Sequence, residues 1–389
     1  MTEQTKPGIG SAAALEGAGP ETIAIETSRR PARSRLSLGA EVLIRTIAPV
    51  LLALVVGGLI IWAMGVNPLE FYGDIFTLGV VGTGWQKTLT AMAPLLIIAL
   101  GLIIAFRAQL WNLGYNGVYL LSAAVVAGIA PDVMGALSFA LGLPVLLAIA
   151  VLIGGLLGYL PALLKAKYGT NEIITSLMVS FIAISLANIL VKGPFQDTGV
   201  TVPQTRVLDL DLMLPYIPGT RVHIGFAVAI VLVVVFHLLL TKSSFGLKVD
   251  ILGASSKAAT HAGINAKKMI VIVFLLSSGM IALAGAIDML GLWGYMRTNW
   301  NPAYGDKILP FVFLARLNPL GSIPLVAFYA ILATGGTIAA QQAGLSVDFL
   351  LVIVALILFF MTIIEFMGNR RELGKSYLPA GLFTSAKKH

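Results

Sequence analysis

Between residues 46 and 364 the chain repeatedly runs for about the length of a bilayer-crossing helix without a formal charge, and this recurrence leaves little freedom in what it can fold into. The charge-free stretches are residues 46–69, 88–106, 108–131, 133–164, 173–191, 222–241, 269–287, 317–347 and 349–364. A helix needs roughly 20 residues to cross a bilayer, so these read as membrane spans. A further apolar piece, 308–315, is too short to cross alone. Extended back through Tyr304 to include Asp306 and Lys307, it makes ten helices. The expected fold is an all-α, polytopic membrane bundle.

Composition agrees with this class. Of 389 residues, 58% are hydrophobic and only 11% charged, with mean hydropathy +0.92, whereas soluble domains carry about 25% charged residues. Cysteine is absent, which excludes disulfides, thiolate metal sites and thiol catalysis. The net charge of +8 would suggest nucleic acid in a soluble protein. Here the basic residues cluster in loops beside apolar spans, so the charge reports topology and no nucleic-acid partner is expected. Contact with membrane lipid is.

Lysine and arginine set the orientation. With both termini in the cytoplasm, 20 of the 26 basic residues fall on the cytoplasmic side; Lys87, Lys192, Arg206, Arg221, Arg297 and Lys307 remain outside. Residues 1–40 are rich in Gly, Ala, Ser, Pro and Glu without apolar periodicity, and read as a disordered cytoplasmic tail before the transmembrane domain of 41–368. No signal-peptide pattern is seen, so the first span is retained. Residues 369–389 form a cytoplasmic C-terminal tail. The connection 192–221 is the longest external loop, and 241–268 is the most basic cytoplasmic one.

That basic loop holds a small alanine-rich helix, 253–264. Ser255 is placed as its N-cap and Gly263 as the left-handed residue that stops it. A short capped helix at the membrane surface suits docking of another protein. No phosphate-binding Gly-x-x-x-x-Gly-Lys-Ser/Thr loop occurs, so the chain is not expected to bind or hydrolyse ATP itself or to be an enzyme.

Polar residues within the spans are few. Two glycines and two asparagines interrupt the stretch 111–117, where a helix can break if its freed groups face protein or water. Asn112 and Asn116 fit either hydrogen bonds to a sugar hydroxyl or nucleobase edge, or the punctuation of a packing turn. Asn171, Glu172, Thr175 and Ser176 open the fifth span, with Asn171 and Thr175 on one stripe and Glu172 and Ser176 on the next. Glu172 reads as a first-turn residue behind a Thr170 cap, with gating or contact to an ATPase as the sharper alternative. Asp288 precedes Trp293, Tyr295, Arg297 and Trp300 and reads as part of an interfacial aromatic belt or a substrate contact at the outer mouth. His237 stands alone on its span, so no metal site is expected, and no cofactor.

Several segments together resemble a known family. Phe106-Arg-Ala-Gln-Leu-Trp-Asn-Leu-Gly-Tyr-Asn-Gly117, Gly169-Thr-Asn-Glu-Ile-Ile-Thr-Ser-Leu-Met178, Lys192-Gly-Pro-Phe-Gln-Asp197, the 253–264 helix and Arg316-Leu-Asn-Pro-Leu-Gly321 look like permease subunits of bacterial ATP-binding-cassette importers for nucleosides and simple sugars. This branch belongs to the wider group of ribose and branched-chain amino-acid permeases. The resemblance implies a multi-pass inner-membrane subunit that pairs with a second, commonly shorter permease as a heterodimer. A dimer of ATPase subunits and a periplasmic or lipid-anchored substrate-binding protein would complete the importer. It makes Gly253, Ser255, Ala258, Ala259 and Gly263 the ATPase-coupling residues, and Asn112, Asn116, Asn171 and Ser176 candidates for the substrate path. The chain departs from the family pattern at two places. Tyr115, Asn116 and Val118 stand where Glu and Gln are usual, and Asp306-Lys307 stands in a segment that is usually uncharged. An ion-coupled secondary transporter is the competing reading, but acidic groups here lie mostly at span ends.

Overall fold

The computed structural model describes residues 35–372, with side chains from 45 to 368. The N-terminal tail through residue 34 and the C-terminal tail from residue 373 lie outside the described residues. The compact unit treated below begins at Leu43.

In chain order the α-helices are α1 Arg35–Ala63, α2 Pro68–Val80, α3 Gly84–Arg107, α4 Tyr115–Ala136, α5 Phe139–Tyr168, α6 Glu172–Lys192, α7 Gly225–Lys242, α8 Ser244–Ala254, α9 Ser256–His261, α10 Ala266–Asp288, α11 Tyr304–Leu314, α12 Pro319–Gln342 and α13 Phe349–Glu372. A π-helical turn, Met289–Trp293, prolongs α10. Among the described residues nine helices are long and apolar enough to cross a membrane, and β-structure is limited to isolated bridges. The tenth expected helix is α11, which starts at Tyr304 and contains Asp306 and Lys307 as anticipated, but has only 11 residues.

Burial separates core helices from the lipid-facing rim. Of the most apolar window of α3, 89% is buried, against 28% for α6, α7 and α13. An apolar side chain gains nothing by leaving lipid for protein, so helices at the centre of such a bundle must meet through close backbone approach and polar contacts. Helix α5 does this against α10 through Gly154 and Gly158. A Cβ at Gly154 would stand 2.3 Å from the Ser278 carbonyl oxygen, and one at Gly158 would stand 2.4 Å from the Ser278 hydroxyl. Larger residues on that stripe would force the two helices apart.

Helix starts are set by short polar side chains. Asn67, Asn171, Ser243, Ser255, Asn265 and Asn318 each accept a hydrogen bond from a backbone N–H of the first turn that follows. Asn171, rather than Thr170, is therefore the cap of α6. The short helix α2 lies against α12 with Phe71, Ile75 and Gly79 buried at a four-residue spacing.

The two ends of the bundle differ. One end carries α8, α9, the last residues of α3 and α5, and the start of α10. At the other, residues 204–214 are tied to the connection after α10, where Thr205 N donates to Met296 O at 2.9 Å and Leu214 N to Leu290 O at 2.8 Å.

Candidate functional site

After Arg107 the chain turns through Gln109, a non-glycine residue at φ 54, and returns beside α3 as irregular backbone until Tyr115. Its depth follows from α10. Asn112 Nδ2 donates to the hydroxyls of Ser277 and Ser278, both at 3.0 Å. At 1.5 Å per residue these serines lie about 17 Å along α10 from its start, in the middle third of the 28-residue span that α10 forms with its π-helical turn. Irregular backbone at this depth survives only if its polar groups are satisfied. Leu110 N donates to Ala105 O at 3.0 Å, Leu113 N to Ser176 Oγ at 3.1 Å, Gly114 N to Asn112 Oδ1 at 3.2 Å and Gly117 N to Ser180 Oγ at 2.9 Å. A Cβ at Gly117 would meet the Ser180 carbonyl oxygen at 2.4 Å, so glycine is what brings α4 within reach of α6.

Of the expected path residues, Asn112 and Ser176 are thus brought together, but both are buried, and their hydrogen bonds are made to this broken segment and, from Asn112 Nδ2, to α10. Asn171 lies elsewhere, capping α6 through Ile173 N at 2.9 Å. Glu172 beside it is buried and paired with Lys165 Nζ at 2.7 Å, which ties the start of α6 to the end of α5.

Asn116 is placed differently. It is half-buried, and its Nδ2 donates to Asp306 Oδ2 at 2.7 Å, while the Tyr115 hydroxyl donates to Asp306 Oδ1 at the same distance. The two departures from the family pattern therefore meet in space. Asp306 is exposed, and among the described residues no cation lies within ion-pair distance of it. Because Asn116 follows the mid-depth Asn112 by four residues, this carboxylate stands deep in the bundle. An exposed carboxylate facing hydrocarbon is prohibitively costly, so this face is turned toward water or toward another protein.

Helix α11 extends the face in both directions. Phe313 stacks on Phe106, 5.1 Å between ring centroids, and lies 6.0 Å from the half-exposed Trp111. At the other end Tyr304 meets Tyr119 at 5.7 Å, Tyr119 meets Trp300 at 6.1 Å, and Trp300 meets Trp293 at 5.3 Å. Behind these rings Asp288 is fully buried, accepting from the Tyr119 hydroxyl and from Trp293 Nε1 at 3.1 Å. It does not open at an outer mouth. What the site offers is a carboxylate and an amide on a surface flanked by aromatic rings.

The second site is the elbow formed by α8 and α9. Arg107, the last residue of α3, donates to both carboxylate oxygens of Asp250, from Nε at 2.8 Å and from Nη2 at 2.6 Å. Gly253 sits on the same place: a Cβ there would lie 2.2 Å from Arg107 O. Ser255 Oγ accepts from Ala258 N at 3.3 Å. At the other end Gly263 has φ 75, Gly263 N donates to Thr260 O at 3.0 Å and Ile264 N to Ala259 O at 2.9 Å, the paired pattern of a Schellman stop. Ala259 is fully buried in a small apolar cluster with Ala105, Val249, Leu252 and Phe274. Ser255, Ala258 and Gly263 are exposed. The five expected coupling residues thus divide into a seat, Gly253 and Ala259, and an outward face.

The described residues form a polytopic helical bundle with an irregular mid-depth crossing and a capped surface elbow. Residues 85–362 match the model of the family described as branched-chain amino acid transport system / permease component, and the chain belongs to that family. Its relatives are permease subunits of ATP-binding-cassette transporters. It is 31% identical to the glucose permease protein TsgB13 of Haloferax volcanii over 88% of this chain and 92% of that one. It is 25% identical to the nucleoside permease protein NupB of Lactococcus lactis, over 83% of this chain and 91% of that one. With the guanosine permease protein NupP of Bacillus subtilis it shares 25% identity over 80% and 90%. The chain is a multi-pass permease subunit of an ATP-binding-cassette transporter, a family that works with ATPase and substrate-binding partners.

Proposed function

We propose that this subunit imports nucleosides or simple sugars across a bacterial inner membrane, with both termini in the cytoplasm and with ATP hydrolysed only by its partner. The relatives named for glucose, nucleosides and guanosine support that substrate class. The chemistry of the face around Asp306 fits it: a carboxylate accepts from hydroxyls, an amide both donates and accepts, and aromatic rings offer flat apolar surface. The single observation that carries the reading is the exposed Asp306 at mid-depth, held by Tyr115 and Asn116. A second permease subunit closes this face in a heterodimer, leaving a polar path between the two. The ATPase docks on the outward face of α9, and its closure moves the seat formed with α3. Nucleotide states must then interact differently with the inward and outward forms for hydrolysis to drive transport.

The experiment is reconstitution of the chain with its second permease, ATPase and binding protein in vesicles, followed by uptake of labelled guanosine and glucose. ATP-dependent accumulation of either supports the reading. Uptake by the permease chain alone, driven by an ion gradient, would overturn it.

A further inference from the structure

At the end of the bundle opposite α9, a cavity of about 400 Å³ opens where the start of α3, α12, the π-helical turn and the loop before α7 meet. Its volume lies in the range of small-molecule clefts, roughly 300–1,000 Å³. Lys87 and Arg221 both line it, and none of the lining residues is acidic. Neither cation has a carboxylate within ion-pair distance among the described residues, whereas Arg206 at the same end pairs with Asp132 at 2.6 Å. The Arg221 backbone is fixed at the cavity by its N–H, which donates to Gln86 Oε1 at 2.9 Å. Hydroxyls complete the lining, from Thr83, Thr90, Tyr216 and Thr334. Thr90 is the most telling of them. It is only 7% exposed and lines the cavity, with no hydrogen bond from its hydroxyl to another described residue, so the hydroxyl is free to meet a ligand there.

Two unpaired cations and several hydroxyls around one cavity recognise an oxyanion, and arginine matches phosphate geometry in particular. The depth identifies the source. Lys87 and Thr90 are the fourth and seventh residues of α3, about 5 and 9 Å inside its start, where headgroups adjoin hydrocarbon. The apolar part of the wall includes Ala91 and the half-exposed Leu292, which a free anion would leave unused. We propose that this cavity binds the phosphate of an anionic phospholipid, with the acyl chains leaving along the apolar side. Such a lipid bridges α3 to the loop before α7 and braces that end of the bundle. The proposal does not rest on the transported substrate.

The test uses the purified full chain in detergent, titrated with dioctanoyl phosphatidylglycerol while thermal unfolding is followed. Dioctanoyl glycerol, which lacks the phosphate, and inorganic phosphate are run in parallel. Phosphatidylglycerol is expected to raise the unfolding temperature saturably, and the two controls are not. The K87Q/R221Q variant should weaken the lipid effect by about tenfold or more. T90V, a conservative change that keeps the fold if the double variant does not, should weaken it by a smaller factor. Equal lipid response in both variants and the parent overturns the site. An equal response to dioctanoyl glycerol would show an apolar groove without phosphate recognition, and an equal response to inorganic phosphate would show a free-anion site; either outcome overturns the lipid assignment.

Discussion

Arg107 and Asp250 are 143 residues apart in the chain and form a two-pronged ion pair that fastens the last turn of α3 to α8. Helix α3 is the most deeply buried span, and α8 leads directly into the exposed α9. The pair is thus a charged link between the docking elbow and the core of the bundle, beside the packed contacts of Gly253 and Ala259 with α3. Half-exposed pairs contribute only about 0.2–1 kcal/mol. Arg107→Ala should therefore leave the unfolding temperature nearly unchanged while reducing substrate-stimulated ATP hydrolysis in reconstituted importer, and the charge swap R107D/D250R should restore part of it. Equal loss in the swap and in the single variant would show that the contact transmits nothing.

The two neighbouring alanines of α9 separate docking from folding. Ala258→Trp places a large side chain on the outward face, so the purified chain should keep its stability but fail to co-purify with the ATPase. Ala259→Trp overpacks the buried cluster, a change that costs about 1 to 3 kcal/mol. It should lower the unfolding temperature of the isolated chain before any partner is added. The reverse assignment of effects would mean that α9 docks with its other face.

Asn112 holds the broken crossing together. Asn112→Leu leaves the Gly114 N–H and two serine hydroxyls without their partner, and an unmet buried group costs about 1–3 kcal/mol. The variant should lose thermal stability to that extent along with uptake. Lost uptake at parental stability would make Asn112 a substrate contact instead.

Orientation is testable because the chain contains no native cysteine. A cysteine at Thr198 should react with a membrane-impermeant reagent from outside, and one at Thr260 only after the membrane is opened. Reversed labelling would invert the arrangement proposed for α9 and its ATPase.

Much of this architecture was legible in the sequence because lipid imposes long charge-free runs. The same criterion concealed α2, where Glu70 and Asp74 interrupt a helix that buries only one stripe. The caps Ser255 and Gly263 were readable because capping needs particular side chains and a particular φ. Which alanine of α9 faces inward was not, since a helix of six residues is too short to show a periodicity. Thr170 and Asn171 are both competent caps, and the choice depends on where the first helical turn begins. The meeting of Asn116 with Asp306 spans 190 residues and follows from how α4 and α11 are packed, which no local pattern encodes. The sequence did mark both places as departures from the family, without saying that they touch.

The claim that the Asp306 face lines the path is tested most directly by Asp306→Asn in the complete reconstituted importer, with nucleoside uptake and ATP hydrolysis measured in the same vesicles. The change keeps the side chain's size and removes its charge. Both oxygens now accept from Tyr115 and Asn116, whereas the amide that replaces one of them can only donate. The predicted result is uptake reduced by about tenfold or more, as for the loss of a charge-assisted hydrogen bond, with the subunits still assembled and basal hydrolysis retained. Parental uptake by this variant would contradict the account.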